Sequence, residues 1–144
     1  MINNTLSFSN PSELFDPTPY GFCHTVKAPS NGELVYISGQ SGGEGINHTL
    51  SEDFRHQVKS LLKNLEIALK SHQLSFRDVM KITILIVDHN VEKLSIWGEE
   101  MNKYWMVNAL PASTLIPVSA LALEGMQIEV EAIAFKSENY NTTY

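Results

Sequence analysis

Cysteine is almost absent from this 144-residue chain, where Cys23 stands alone. That excludes an internal disulfide and a cysteine-rich zinc site, and it makes a reducing cytoplasm the expected compartment. Positive charge is also sparse, since 10 Lys plus Arg face 16 Asp plus Glu for a net charge of -6. Such a balance draws no phosphate backbone, and nucleic acid is not expected as a partner. Long apolar runs are missing, so no segment is expected to span a bilayer and no membrane partner is anticipated. From Met1 through Asn10 the chain offers Asn3, Asn4, Thr5 and Ser7 where a secretory leader needs a basic start and an apolar block. What is present is ordinary for a folded protein: 43% hydrophobic and 18% charged residues, which excludes wholesale disorder. At this length one domain covering residues 1–144 is expected, burying roughly two thirds of its unfolded surface.

The order of elements follows from periodicity. Asn10 to Pro19 holds three prolines with Ser12, Asp16 and Thr18, a composition that predicts an ordered loop closed by Tyr20 and Gly21. Phe22 to Lys27 reads as a short strand, Pro29 to Gly32 as a turn and Glu33 to Gln40 as a second strand, together a hairpin. Ser41 to Gly45 is glycine-rich but lacks the lysine and the Ser or Thr partner that grip a nucleotide, so it reads as plain loop. Ser51, backed by Glu52 and Asp53, is the expected helix cap. Behind it Phe54, Val58, Leu61, Leu62, Leu65, Ala68 and Leu69 recur at helical spacing and predict a buried stripe.

Ser75 and Asp78 suit a capped turn before Val79 to Val87, whose Ile82, Ile84, Leu85, Ile86 and Val87 predict an interior strand covered on both faces. A second helix is expected from Val91 to Val107, with Leu94, Trp97, Met101, Tyr104 and Trp105 facing inward. The last strands follow. This order predicts a mixed sheet with two helices on one face, and the apolar positions of the other face then call for a partner subunit. A homo-oligomer is the expected state.

Several residues stand out for chemistry. Glu129 and Glu131 repeat every second residue between Gln127 and Phe135, which places both on one polar strand face. The apolar run Leu34 to Ser38 ends on Gly39, whose backbone can come close to a ligand. Tyr20 follows Pro19 as a loop anchor or a stacking ring. Cys23 and His24 are adjacent, so on a strand they point apart and cannot share a proton; a buried, inert thiol is expected. Glu52 and His56 lie four apart with His48 near, but a third metal ligand is missing from the pattern and solvated helix surface is expected. Trp97, Tyr104 and Trp105 have core spacing, without the interleaved basic residues of a base-stacking platform.

Val35, Tyr36, Ile37, Ser38, Gly39 and Gln40, then Asp78, Val79 and Lys81, the Pro111 and Ala112 corner, and the Ile128 to Ala134 strand resemble the RidA family, also known as YjgF or L-PSP. The likeness runs from Tyr20 to Phe135. It implies a chorismate-mutase-like α/β fold assembled as a homotrimer with three clefts between subunits, and an enamine or imine deaminase activity that uses no metal and no cofactor. In that pattern the last-strand glutamate that activates water matches Glu129, the loop tyrosine matches Tyr20 and the backbone contact matches Gly39. The arginine that follows the Pro and Ala of the corner is Ser113 here. Two further departures are Leu115, where the family usually has cysteine, and Gly98, at the second-helix asparagine position.

Loss of a bidentate guanidinium contact costs roughly a hundredfold or more toward a carboxylate substrate. No other positive side chain occurs from Ala109 to Lys136 apart from Lys136 itself, leaving Lys27 and His24 as candidate substitutes. Ser113 and Thr114 retain hydroxyls for a neutral carbonyl or imine. The expected function is thus binding of a small carbonyl or enamine/imine metabolite, with hydrolysis by a Glu129-activated water. The alternatives are a non-catalytic metabolite sensor and, against the charge balance, an endoribonuclease.

Overall fold

The computed structural model describes residues 5–138; residues 1–4, part of the stretch examined for a leader, and residues 139–144 lie outside them. Strand β1 (Ser7–Ser9) pairs antiparallel with β2 (Thr25–Lys27), and β3 (Gly32–Ser41) leads to helix α1 (Phe54–Lys70). Strand β4 (Val79–Val87), helix α2 (Val91–Met101), β5 (Ala112–Val118) and β6 (Ile128–Ser137) complete the order. The main sheet runs β3-β6-β4-β5. Only β4 and β5 are parallel, so the sheet is mixed and both helices pack on one face, as the element order predicts.

Strand periodicity explains the core. Ile82, Ile84 and Ile86 of β4 and Ile128, Val130, Ala132 and Ala134 of β6 alternate onto the helix side and are buried, meeting Val58, Leu61, Leu62, Leu65 and Leu69 of α1. Each of the buried Ile, Val and Leu side chains contributes about 1.5–3 kcal/mol. The intervening positions Lys81, Thr83, Leu85 and Val87 are only half-buried. β4 is therefore interior in its hydrogen bonding, with a strand on each side, while within one chain only one of its faces is covered. The other face leaves Leu34, Tyr36 and Ile116 exposed, Tyr36 by 73%.

Three expectations need correction. The hairpin does not form: Cys23 N–H donates to Pro111 O at 3.0 Å, which ties the start of the predicted strand to the β5 edge, far across the sheet order from β3. Strand β2 consequently pairs with β1. The cap of α1 is Asp53, whose carboxylate accepts from His56 N–H at 3.0 Å, while the Ser51 hydroxyl accepts from Asp53 N–H one step earlier. Helix α2 stops at Met101 instead of Val107. There the chain tightens into a turn, with Tyr104 and Trp105 N–H both donating to Met101 O, and Trp105 is buried edge-on against Phe76, ring centroids 4.7 Å apart. The capped turn does form, with Ser75 N–H donating to Asp78 Oδ2 at 2.8 Å.

Two amides of α1, one buried and one half-buried, fix the strand ends. Gln57, fully buried, donates through Nε2 to Ser51 O and Gly125 O and accepts from Gln127 N–H, which sets the entry to β6. Asn64 donates to Ser41 O and Gly43 O, which sets the exit of β3. Between the helices Glu100, 2% exposed, accepts from Arg55 Nη1 and Lys103 Nζ, both at 2.8 Å. Burial alone raises the Glu100 carboxyl, and its bonds to Lys103 and Arg55 overcome that and hold it below the ordinary carboxylate range.

A carboxyl with a lowered folded-state pKa contributes stability above its unfolded value, and that contribution is lost as pH falls through the folded one. Glu100→Gln should therefore lower unfolding free energy near neutral pH by about 1–3 kcal/mol. It should also flatten the loss of stability in acid; urea titrations from neutral pH downward measure both.

Candidate functional site

The site is built from the seam at the β5 edge. Cys23 bridges Ala112 in parallel fashion, which lays Tyr20, Gly21 and Phe22 beside the start of β5. In the parallel ladder Ser113 lies opposite Ile82 and Leu115 opposite Ile84, so both share the helix-covered face. Between these strands, the 20–22 segment and α2 lies a cavity of about 550 Å³. Its walls are Ile84, Ser113 and Leu115 from the sheet, Leu94 and Trp97 from α2, the Tyr20 to Phe22 segment, and Phe15.

Phe15 reaches the cavity because its loop is pinned. The His24 ring meets Phe15 O through Nε2 at 2.8 Å, and His24 N–H donates to Asn10 Oδ1 at 2.8 Å. The Phe15 ring packs edge-on against Tyr20, Phe22 and His24, with centroids 5.1–6.0 Å apart. Asp16 braces the turn by accepting from Thr18, and the Thr18 hydroxyl and amide together hold its carboxyl below the usual range.

Glu129 is elsewhere. It lies opposite Leu85 on β4 and Ser41 on β3, and this parity places it on the open face, half-buried. The β3 ladder shifts register between Ile37 and Gln40, and a Cβ built at Gly39 would overlap the Glu129 carboxylate. Gly39 has no positive φ, so the glycine supplies space for that side chain and not a special turn. Thr114 lies opposite Thr83 on the same open face, where its hydroxyl accepts from Lys81 Nζ at 2.7 Å. Ser41 Oγ is hydrogen-bonded to His48 Nε2 at the end of β3.

The five residues singled out from the sequence therefore separate within one chain. Tyr20 and Ser113 share the cavity, while Gly39 and Glu129 touch on the opposite face, with Thr114 also on that face. Leu94, expected inside the core, is 39% exposed and lines the cavity rim; Trp97 is both core and cavity wall. Neither Lys27 nor His24 is among the cavity walls. Phe15 and Phe22 escaped notice, although Leu14 and Phe15 form an apolar pair in an otherwise polar, proline-rich loop with no periodicity to bury them, and that is a usable signal.

The remaining candidates have structural partners. Cys23 is buried, desolvation raises its thiol, and Sγ faces Thr25 O at 3.4 Å. His56 Nε2 meets Glu44 Oε2 at 3.2 Å, apart from the Ser41 and His48 pair. Among the described residues no three His, Cys, Asp or Glu side chains cluster as a metal would require, and no helix is long and apolar enough to cross a membrane.

Comparison with known proteins agrees with this architecture. The family model described as Endoribonuclease L-PSP matches residues 18–136. A RutC family protein of Aquifex aeolicus is 32% identical over 122 residues, 83% of this chain and 93% of that one. The human 2-iminobutanoate/2-iminopropanoate deaminase is 34% identical over 103 residues, 71% of this chain and 72% of that one. A Yersinia pestis protein of the conserved Rid family superposes with a TM-score of 0.79 at 27% identity, covering 90% of this chain and 98% of the other. With the matched model spanning most of its length and the fold shared, this chain belongs to the RidA/YjgF/L-PSP family.

Proposed function

We propose that copies of this chain assemble as a homotrimer whose intersubunit clefts bind a small carbonyl or imine compound, with Glu129 of one copy activating water for hydrolysis. One observation carries this. Ser113 and Glu129 lie on opposite faces of a single sheet, so one small ligand can meet both only where the open face of one copy packs against the β5 edge of the next. Such a contact is head-to-tail, and a rotation that closes after three copies gives a ring. The exposed Leu34, Tyr36 and Ile116 supply apolar surface for it.

The chemistry is a balanced hydration. Water oxygen bonds to the electrophilic imine carbon while Glu129 takes one water proton and passes it to the imine nitrogen, giving a carbinolamine and returning Glu129 to its carboxylate. The C–N bond then breaks as the carbinolamine hydroxyl becomes a carbonyl and its proton returns to nitrogen. One water enters, one ammonia leaves, and no redox partner is involved. The Ser113 and Tyr20 hydroxyls hold the ligand, and Gly39 leaves room for the carboxylate.

The name of the human relative, 2-iminobutanoate/2-iminopropanoate deaminase, supports the reaction class. It also marks a difference, since those imines carry a carboxylate and the cavity walls here include no cation. That same feature favours a second reading, a metabolite-binding protein without turnover. A ribonuclease role has the net charge of -6 against it.

Coupled hydrolysis of 2-aminoacrylate distinguishes the two. The wild type should be slow, Ser113→Arg should gain roughly a hundredfold, and Glu129→Ala in the arginine background should abolish the gain. Native rates already matching those of the deaminases would defeat the argument from the missing arginine, and no gain in Ser113→Arg would favour the sensor. In that background Gly39→Ala, which displaces the carboxylate, should lose turnover as Glu129→Ala does while the thermal midpoint moves by only a few degrees, about 1 kcal/mol.

A further inference from the structure

The wall chemistry of the helix-side cavity goes further than the reaction class. Four aromatic rings border it, Phe15, Tyr20, Phe22 and Trp97, with Ile84 and Leu115 beneath. Polar side chains on the wall are limited to Tyr20 and Ser113, both uncharged hydroxyls. The adjoining hollow along α2 adds Glu99, already paired with Arg55 at 2.7 Å, and no cation among its walls, so neither space offers an anion a counter-charge. The space is also large, about 550 Å³, and a three-carbon imino acid would fill only a small part of it. A cavity of this size and apolarity suits a ligand with a substantial apolar body.

From these observations we infer that the ligand is an uncharged carbonyl or imine carrying an aromatic or similarly bulky apolar group, its ring clamped by Phe15 and Trp97 and its polar end held by Ser113. This rests on the preceding assignment of the cavity as the ligand-binding half of the site. Phe15 is the specificity residue. It comes from the pinned N-terminal loop, is itself 61% exposed, and turns one ring edge to Tyr20 and Phe22, so it can close over a flat ligand without disturbing the core. An anionic ligand of the same shape would bring a carboxylate into largely apolar walls with two hydroxyls and no cation to meet it, which is costly.

Phenylacetone and phenylpyruvate form the test pair, since they share one skeleton and differ by a methyl group against a carboxylate. Isothermal titration calorimetry on the full chain should show phenylacetone binding at least about tenfold tighter than phenylpyruvate, and pyruvate weaker than phenylacetone. Phe15→Ala should weaken phenylacetone about threefold to tenfold. Leu94→Lys, on the exposed rim of α2, should tighten phenylpyruvate several-fold, which a misfolded variant would not do. Equal or tighter binding of phenylpyruvate by the wild type would overturn the inference, as would no binding of either compound. Calorimetry needs no turnover, so a protein that prefers phenylacetone yet hydrolyses nothing in the arginine background keeps this inference and loses the hydrolytic assignment. One that gains hydrolysis but shows no preference does the reverse.

Discussion

Strand parity is the constraint from which the rest follows. β4 is hydrogen-bonded to β5 on one side and β6 on the other, with Ser113 opposite Ile82 and Glu129 opposite Leu85. Residues 82 and 85 differ by an odd number, so their side chains leave the sheet on opposite faces. No rotamer change brings the hydroxyl and the carboxylate together within one chain. A one-residue slip of β6 would reverse this and would also expel Ile128, Val130, Ala132 and Ala134 from the core. The hydrophobic energy of those positions therefore keeps Ser113 and Glu129 on opposite faces.

That energy sets the faces but not the placement of the strand ends, which depends on polar contacts. Gln57 and Asn64 are one helical stripe of α1 that could have been apolar. Instead their amides bind loop carbonyls at the entry to β6 and the exit of β3, the two strands that carry Glu129 and Gly39. Buried amides with partners cost little, whereas the same carbonyls left unpaired would each cost about 1–3 kcal/mol. On the other side of the molecule a backbone bond from Cys23 to Pro111 does the equivalent work for Tyr20 and Phe22. The two halves of the proposed site are thus anchored separately, each by a few directional bonds to a rigid sheet.

The helical and central-strand parts of the fold were legible because their periodicity is strong: Val58, Leu61, Leu62 and Leu65 can satisfy burial in only one way, and so can the alternation from Ile128 to Ala134. The turn chemistry of Pro29 to Gly32 points to a hairpin for Phe22 to Lys27, whereas that segment is drawn to Pro111, about ninety residues away, a contact that leaves no local trace. Helix α2 ends before its sequence pattern does, since Trp105 keeps helical spacing beyond Met101 while the backbone there tightens into a turn. The aromatic wall was only half visible. Trp97 looked like core, which it is, and Phe15 looked like loop, which it is, and neither description places them around one space.

By itself, the sequence determined the family, the α/β arrangement of elements, the scarcity of positive charge and the serine that follows the Pro111 and Ala112 corner. These are properties of residue type and spacing, and they are fixed before the chain folds. Tertiary structure alone decided which residues share a surface: Tyr20 with Ser113 in an aromatic cavity, and Gly39 with Glu129 on the face beyond it. The physical reason is that faces and cavities are set by ladder register and by contacts between distant segments, neither of which is encoded in any single stretch of sequence.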